Sequence, residues 1–254
     1  MSARIVPGAE PFRFDAGPVG ALLLHGFTGS PASLRPLGEA LSERNISVLG
    51  PRLPGHATNW RDLETASWRE WEREAEMAFA DLSSRCRGVV VVGLSAGGAL
   101  AVHLAATPRE QLRGVVLINP LIRRPEFAFA PVIRLFTHSV RGVGNDIKKP
   151  GQDELAYDRV PVKGIVQLGK LLRAADRELP SMTLPLLIFV SPGDHTVKPA
   201  NSQRIARRAG SERKEVVPLP NSYHLATLDY DAQTIVDRTM QFLDSVSRDV
   251  PASD

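Results

Sequence analysis

The stretch that most constrains the fold of this chain covers residues 88–106, with the sequence G-V-V-V-V-G-L-S-A-G-G-A-L-A-V-H-L-A-A. Its four consecutive valines form a short apolar run without a polar face, which is typical of a strand buried on both sides of a parallel sheet. An apolar, alanine-rich helical segment begins directly after Ser95. A strand, a tight turn and a helix in immediate succession predict an α/β fold with this strand inside the sheet.

The turn itself reads Gly93-Leu94-Ser95-Ala96-Gly97, which is a G-x-S-x-G pattern. Between a strand and a helix, this pattern indicates a nucleophile elbow. A side chain two residues to either side of Ser95 would collide with the neighbouring strand and helix, and the serine would have a strained backbone. Its hydroxyl would then lie at the C-terminal edge of the sheet, at the positive end of the new helix. The pattern alone leaves open a glycine-rich turn with an ordinary surface serine.

The rest of the chain repeats the alternation of strand and helix. We expect strands at 19–24, 46–49, 114–118, 184–190 and 214–217, and helical patterns separate most of them. Such alternation predicts βαβ units and a mostly parallel central sheet flanked by helices. The alternation stops at 121–184, a segment with five prolines and no strand pattern. We expect a single domain over residues 1–254, with 121–184 as a cap insertion over the sheet edge.

Charge, cysteine content and hydropathy restrict the possible partners and compartment. The chain has 31 basic and 28 acidic residues in 254, a balance that argues against nucleic acid. Its single cysteine, Cys86, excludes an internal disulfide and fits a reducing compartment, so we expect a cytoplasmic protein. No window of 18 apolar residues and no signal-peptide pattern occur, so no membrane span is expected. We expect the tail at 247–254 to be mobile; the oligomeric state stays open.

A serine nucleophile needs a base within hydrogen-bond reach and a group that orients this base. In parallel sheets, catalytic groups collect where the strands end. Asp194 directly follows the apolar run 184–190, and His224 follows 214–217. The order Ser95, Asp194, His224 is the order of α/β hydrolases. The sequence therefore predicts a nucleophile, an orienting acid and a base at these three positions.

Other histidines and aspartates compete for these roles. His195 is the strongest rival for the base, but as the neighbour of Asp194 its side chain should diverge from that carboxylate. The remaining histidines have less suitable positions: His25, His56, His103 and His138. The rival acids lie within 121–184 or just beyond His224: Asp146, Asp153, Asp158, Asp176, Asp229 and Asp231. Of all these aspartates, only Asp194 directly follows a buried strand.

The reaction also needs donors for the oxyanion. The amide of Ala96, directly after the nucleophile, is one expected donor, and the second should come from the loop after the first strand. In His25-Gly26-Phe27 the residue with the right placement is Phe27. Backbone donors of this kind contribute roughly 3 kcal/mol each to transition-state binding.

Five segments carry a resemblance to a known family: L-L-L-H-G-F-T-G-S-P, L-P-G-H, G-L-S-A-G-G, S-P-G-D-H-T-V and N-S-Y-H-L-A-T-L-D-Y-D. They resemble bacterial α/β-hydrolase carboxylesterases and monoacylglycerol lipases with a small cap. The resemblance implies no metal and no organic cofactor, and it implies the roles given above for Ser95, Asp194, His224, Phe27 and Ala96. The chain departs from it in having Ala96 where methionine is common and Ala57 where glycine is common. We expect the first departure to widen the pocket beside the nucleophile.

The expected function is hydrolysis of a small, lipophilic carboxylic ester through an acyl-enzyme. The apolar segment at 127–136 suggests a hydrophobic acyl pocket, hence medium-chain monoesters or monoacylglycerols. Two alternatives stay open. The same triad could cleave a thioester, an amide or a carbon–carbon bond, or the chain could be a non-catalytic ligand-binding protein on a hydrolase scaffold.

Overall fold

The computed structural model of the chain describes residues 4–142 and 144–247; the tail after Ser247, for which mobility is expected, lies outside them. The strands are β1 (Phe12–Phe14), β2 (Val19–Leu24), β3 (Ile46–Gly50), β4 (Gly88–Leu94), β5 (Leu112–Ile118), β6 (Ser139–Arg141), β7 (Arg159–Pro161), β8 (Leu186–Val190) and β9 (Lys214–Pro218). The α-helices are α1 (Arg35–Ser42), α2 (Trp68–Ser83), α3 (Ala96–Ala105), α4 (Ala130–Ile133), α5 (Val162–Glu178), α6 (Ala200–Arg208) and α7 (Ala232–Ser247).

Seven strands form one sheet in the order β1-β3-β2-β4-β5-β8-β9. All neighbouring pairs are parallel except β1 and β3, so the predicted mostly parallel sheet with flanking helices is confirmed. The strand β4, which carries the valine run, lies in the middle of this order. The sequence did not predict β1, because three residues are too few to show a strand pattern.

The continuous apolar runs follow from helices on both faces of the sheet. Successive strand residues point to opposite faces. Val89 and Val91 of β4 therefore pack in one core with side chains of α2, α3 and α5, whereas Val90 and Val92 pack in a second core with α1 and α7. A strand that contributes to two cores has no polar face, which is why its sequence does not alternate.

The segment between β5 and β8 contains α4, α5 and the antiparallel pair β6–β7. The expectation that this segment has no strands was wrong: β6 and β7 pair over three residues each. Both strands are short and rich in arginine, so neither shows an apolar run in the sequence. The helix α5 packs against α3, the helix that follows Ser95. This contact brings the inserted segment over the predicted nucleophile.

Candidate active site

Ser95 occupies the sharp turn between β4 and α3 with φ 55° and ψ −119°, a conformation that costs roughly 1–3 kcal/mol in a residue with a side chain. Neighbouring backbone holds it there. The amide of Ser95 donates to the carbonyl of Ile118 at 3.0 Å, and its carbonyl accepts from the amide of Leu121 at 2.9 Å. The strained conformation thus depends on hydrogen bonds to the end of β5.

The glycines around Ser95 have the steric role that the sequence suggested. A Cβ on Gly93 would lie 2.4 Å from the carbonyl oxygen of Gly97, and a Cβ on Gly97 would lie 2.0 Å from that of Leu24. Neither position has room for alanine without moving backbone. On the other side of the turn, a Cβ on Gly26 would lie 3.3 Å from Cβ of Ser95. The loop after β2 therefore passes directly beside the serine.

Asp194 and His224 form a buried pair at the same edge of the sheet. Nδ1 of His224 lies 2.7 Å from Oδ2 of Asp194, and their side chains are only 7% and 2% exposed. The other carboxylate oxygen accepts the amides of Thr196 at 2.8 Å and Val197 at 2.7 Å. A carboxylate only accepts hydrogen bonds, so the proton between Asp194 and His224 is on Nδ1 of the imidazole. Nε2 of the imidazole is then free to accept a hydrogen bond.

Ser95 and His224 line the same cavity. The Ser95 hydroxyl makes no hydrogen bond to any residue within 4–142 and 144–247. Hydrogen bonds between a nucleophile and its base often become short only with substrate bound. The hydroxyl of Ser95 and the imidazole of His224 thus face one cavity, and no hydrogen bond joins them in this structure.

Asn119 fixes the loop of the histidine, a role that the sequence reasoning missed. Its amide nitrogen donates to the carbonyls of His224 at 2.8 Å and Tyr223 at 3.1 Å, and its side-chain oxygen accepts the amide of Ser191 at 2.7 Å. Its φ of 43° is in the left-handed region, which asparagine tolerates better than most residues. The sequence contained one signal for this role, namely the position of Asn119 directly after β5, just as Asp194 lies in the turn after β8.

Three of the six rival acids brace the histidine loop by hydrogen bonds, and none of the three bonds to the ring of His224. Asp146 accepts the amide of His224 at 3.3 Å and pairs with Nδ1 of His195 at 2.8 Å. Asp229 accepts the amide of Tyr223 at 3.0 Å, and Asp231 accepts the amide of Asn221, which lies two residues before Tyr223. The sequence set Asp146 aside as a residue of the inserted segment, whereas the structure brings it into the site. The rival base His195 is two-thirds exposed, with 66% of its side chain accessible.

The amides of Phe27 and Ala96 make no hydrogen bond to any part of the chain that the structure describes. Ala96 is the first residue of α3, so its amide has no helical partner and lies at the positive end of the helix. The loop of Phe27 is held by His25, whose Nε2 accepts the amide of Leu53 at 3.1 Å while Nδ1 donates to the carbonyl of Gly26 at 2.9 Å.

Two histidines, His25 and His56, lie beneath the loop of Phe27, and both are fully buried and neutral. Burial lowers the pKa of His25 to about 4 and that of His56 to about 3. The two rings pack edge-to-face at 5.0 Å, and His56 packs in the same way on Phe27 at 6.0 Å. A neutral His25 keeps one nitrogen as an acceptor and the other as a donor, which its two backbone bonds require. These rings thereby fix the position of the Phe27 amide.

The cavity in front of Ser95 has a volume of about 270 Å³. Its apolar lining comes from Leu121, Phe127, Val160, Ile165, Leu168 and Val197. The apolar segment 127–136, which suggested a hydrophobic acyl pocket, contributes only a small part of this lining. Only Phe127 of that segment lines the cavity, while Phe129, Leu135 and Phe136 are more than 60% exposed.

A carboxyl group also faces the cavity. Glu154 lines it beside Asp146 and His224. Burial, together with the neighbouring carboxylates of Asp153 and Asp146, raises the pKa of Glu154 to about 7. The Glu154 carboxyl makes no hydrogen bond to the described residues, so it is available to a polar group of a ligand. No sequence pattern indicated that Glu154 lines the cavity, because it lies in an irregular loop.

The two departures from the resembled family have different structural settings. Ala57 is buried with φ 58°, a left-handed conformation in which glycine is favoured, so glycine is the residue that fits this turn best. Ala96 borders a void of only about 10 Å³ shared with Phe27 and Trp71.

In the described residues, no cluster of three or more His, Cys, Asp or Glu could hold a metal ion. No helix in that part of the chain has the length and hydropathy to cross a bilayer.

Comparison with known proteins gives concordant matches. Residues 20–231 match the Hydrolase_4 family, described as serine aminopeptidase, S33. The chain is 40% identical over 239 residues to a thermostable monoacylglycerol lipase of Bacillus sp. strain H-257, covering 94% of this chain and 95% of the relative. It is 23% identical over 240 residues to a carboxylesterase of Bacillus subtilis strain 168, covering 93% and 97%.

Solved structures agree with these relatives. A structure of the metagenome-derived lipolytic enzymes LipS and LipT superposes with a TM-score of 0.92 at 37% identity, covering 95% of this chain and 100% of the other. The monoacylglycerol lipase of Paleococcus ferrophilus shares the fold, with a TM-score of 0.78 at 19% identity and coverage of 92% and 98%.

Proposed function

This chain belongs to the Hydrolase_4 family (serine aminopeptidase, S33) and is a carboxylic ester hydrolase of the α/β-hydrolase fold, and we propose that it works through a triad of Ser95, His224 and Asp194. The observation that supports this triad most directly is the buried 2.7 Å contact between Asp194 and His224, whose imidazole lines one cavity with Ser95. The Asp194 carboxylate orients the ring and stabilises the imidazolium that forms during the reaction.

In the proposed mechanism, Nε2 of His224 takes the hydroxyl proton while Oγ of Ser95 attacks the ester carbonyl. The negative charge on the carbonyl oxygen is stabilised by the amides of Phe27 and Ala96. The carbon–oxygen bond to the alcohol then breaks, and the alcohol leaves with the proton from His224. Water attacks the acyl-enzyme with His224 again as base, which releases the carboxylic acid and restores Ser95.

The cavity supports a single-chain ester as substrate. Its volume of about 270 Å³ lies just below the range of about 300–1,000 Å³ for small-molecule sites, which disfavours an ester with three acyl chains. Most of its lining is apolar; among the exceptions, Glu154 offers a carboxyl group near His224, and Arg124 and Arg141 offer guanidinium groups. We propose medium-chain monoesters or monoacylglycerols, with the segment 121–184 acting as a cap that covers the acyl chain.

Hydrolysis of p-nitrophenyl esters of increasing acyl length, followed by mono-, di- and triacylglycerols, tests this function. We expect kcat/KM to rise from acetate to medium chains and to fall again, with monoacylglycerols cleaved in preference to triacylglycerols. Ser95→Ala should lose the activity, and His195→Ala, which changes the rival histidine, should keep most of it. A preference for acetate over octanoate, or for triacylglycerols, would contradict the proposed substrate class.

The same triad serves thioesters and amides, since the pocket and not the triad selects the bond. The family description names an aminopeptidase, whereas the full-length relatives are named as a lipase and a carboxylesterase. Aminoacyl p-nitroanilides and acyl thioesters, assayed beside the esters, separate these activities. A kcat/KM on either that exceeds the best ester would replace the ester proposal.

A further inference from the structure

A second, larger groove lies directly beside the catalytic cavity. Its volume is about 460 Å³, and four residues, Leu121, Arg124, Thr196 and Val197, line both spaces. The wall between the two is therefore one side chain thick. A molecule that lies in the groove is in reach of the same Arg124 that borders the ester-cleaving cavity.

The groove is strongly basic in a chain whose overall charge is nearly balanced. Five cationic side chains line it, against the single carboxylate of Glu126: Arg123, Arg124, Lys198, Arg204 and Arg207. The whole chain, in contrast, has 31 basic and 28 acidic residues. Two separate segments supply these cations, one directly after β5 and the other around the start of α6, so their convergence arises from the fold and not from one charged run.

Several of these cations have no partner of their own. Within residues 4–142 and 144–247, the side chains of Arg123, Lys198 and Arg207 make no hydrogen bond and no ion pair. The other two have partners: Arg204 binds Asp176 through two nitrogens at 2.6 and 2.8 Å, and Arg124 donates to the carbonyl of Thr196 at 3.4 Å. Cations that converge on a concavity without acceptors repel each other, and an anionic ligand removes that cost.

The backbone of the groove is preorganised. The buried Asn201 accepts the amides of Ile122 and Arg123 at 3.0 and 2.8 Å, which fixes the segment after β5 against α6. The guanidinium of Arg124 stacks over the ring of Phe127 at 5.3 Å. Fixed backbone and a stacked guanidinium lower the ordering cost of binding, which distinguishes this groove from a flexible charged surface.

On the basis of the ester hydrolysis proposed above, we propose that this basic groove holds the anionic head of an acyl ester or of its acid product, next to the cavity where the ester is cleaved. The recognised chemistry is a phosphate or carboxylate attached to an acyl or alkyl chain. A phosphate on the alcohol of a monoacylglycerol and the carboxylate of the released fatty acid are its two sources.

The test uses two ether-linked inhibitors that contain no ester of a carboxylic acid and differ only in one phosphate group: the monodecyl ether of glycerol and the same ether with a phosphate on its glycerol. Decanoate is the third probe. Their inhibition constants are measured at low ionic strength against hydrolysis of a neutral p-nitrophenyl ester. The proteins are the wild type, the double variant Arg123→Gln/Lys198→Gln, and a matched control that removes two exposed cations elsewhere, Arg87→Gln/Lys170→Gln.

We expect the phosphate ether to inhibit about tenfold more strongly than the neutral ether in the wild type and the control. The Arg123→Gln/Lys198→Gln protein should lose this preference and keep its KM for the neutral ester. Loss of decanoate inhibition in the same variant identifies the carboxylate as a second ligand; unchanged decanoate inhibition restricts the groove to phosphate. An equal preference in all three proteins, or none in the wild type, overturns the assignment.

The same probes separate this assignment from the proposed function. If no protein hydrolyses the neutral ester, the ester hydrolase proposal fails, and titration calorimetry with the phosphate ether then tests the groove alone. Binding that weakens about tenfold in the Arg123→Gln/Lys198→Gln protein supports the anion site, and equal binding in the two proteins refutes it.

Discussion

The substitution Asp194→Asn separates the proposed orienting role of this residue from its structural role. Oδ1 of Asp194 accepts two amides, at 2.8 and 2.7 Å, while Oδ2 faces Nδ1 of His224. An asparagine keeps both amide bonds only if its oxygen takes the place of Oδ1. Its NH₂ group then faces Nδ1 and donates to it. The imidazole must consequently carry its proton on Nε2, where it cannot accept the proton of Ser95.

The magnitude follows from this change of tautomer. We expect kcat to fall about 10⁴-fold, as when the aspartate of a serine-protease triad becomes asparagine, with little change in KM. The stability should change by about 1 kcal/mol or less, because all three hydrogen bonds are kept with donor and acceptor exchanged at one of them. Asp194→Ala leaves the amides of Thr196 and Val197 unpaired in a buried place, which costs roughly 1–3 kcal/mol for each.

The assay is steady-state hydrolysis of a p-nitrophenyl ester together with the melting temperature of each variant. Asp194→Ala should unfold at a temperature roughly 5–20 °C lower than the wild type, and Asp194→Asn close to the wild type. The alanine variant should nevertheless be at least as active as the asparagine variant, because its imidazole is free to adopt either tautomer. An asparagine variant that retains more than about a tenth of the wild-type kcat would refute this reasoning.

Three further predictions concern the surroundings of the triad. Gly97→Ala should lower the melting temperature and kcat, because its Cβ would lie 2.0 Å from the carbonyl oxygen of Leu24. Gly169→Ala is the control: the nearest atom to its Cβ would be 3.5 Å away, so this variant should stabilise α5 by about 0.5–1 kcal/mol. Glu154→Gln should melt above the wild type at pH 8.5, because the carboxyl of Glu154 has a pKa of about 7 in the folded protein and its charged form is costly there. This difference should shrink as the pH falls through 7 and vanish only below the pKa of an unfolded glutamate, about 4.3. In the Glu154→Gln variant, the free energy of unfolding should fall as the pH drops below about 6.5, because the unfolded chain protonates His25 there, whereas in the folded protein the pKa of His25 is about 4. Between pH 6.5 and 5 this residue alone should cost about 1.6 kcal/mol. Differential scanning calorimetry and denaturant titrations across this pH range check all three.

The central part of the fold is predictable from local sequence. Buried parallel strands have apolar side chains on both faces, so the valine run of β4 and the leucine run of β2 identify themselves without knowledge of their partners. Ser95 is equally visible, because its turn needs glycine at 93 and 97 for reasons that act over a few residues. Asp194 and His224 follow from the rule that functional loops collect at one edge of a parallel sheet.

The remainder depends on contacts between distant segments. Asp146 and Glu154 lie in loops of the inserted segment, and only the packing of that segment on the sheet edge brings them beside His224. The apolar residues Leu135 and Phe136 follow the end of the short helix α4 and are exposed, although their composition suggests a pocket. No pattern in one sequence distinguishes an apolar segment that lines a cavity from one that borders it.

Covalent labelling with a fluorophosphonate, followed by mass spectrometry of the peptides, tests the central claim most directly. The probe reports on a serine made nucleophilic by a neighbouring base and does not depend on knowing the substrate. We expect a single adduct on Ser95, none in Ser95→Ala, and labelling at least about 10³-fold slower in His224→Ala but near the wild-type rate in His195→Ala. Equal labelling of the wild type and Ser95→Ala, or a rate that the change at His224 leaves untouched, would contradict the triad.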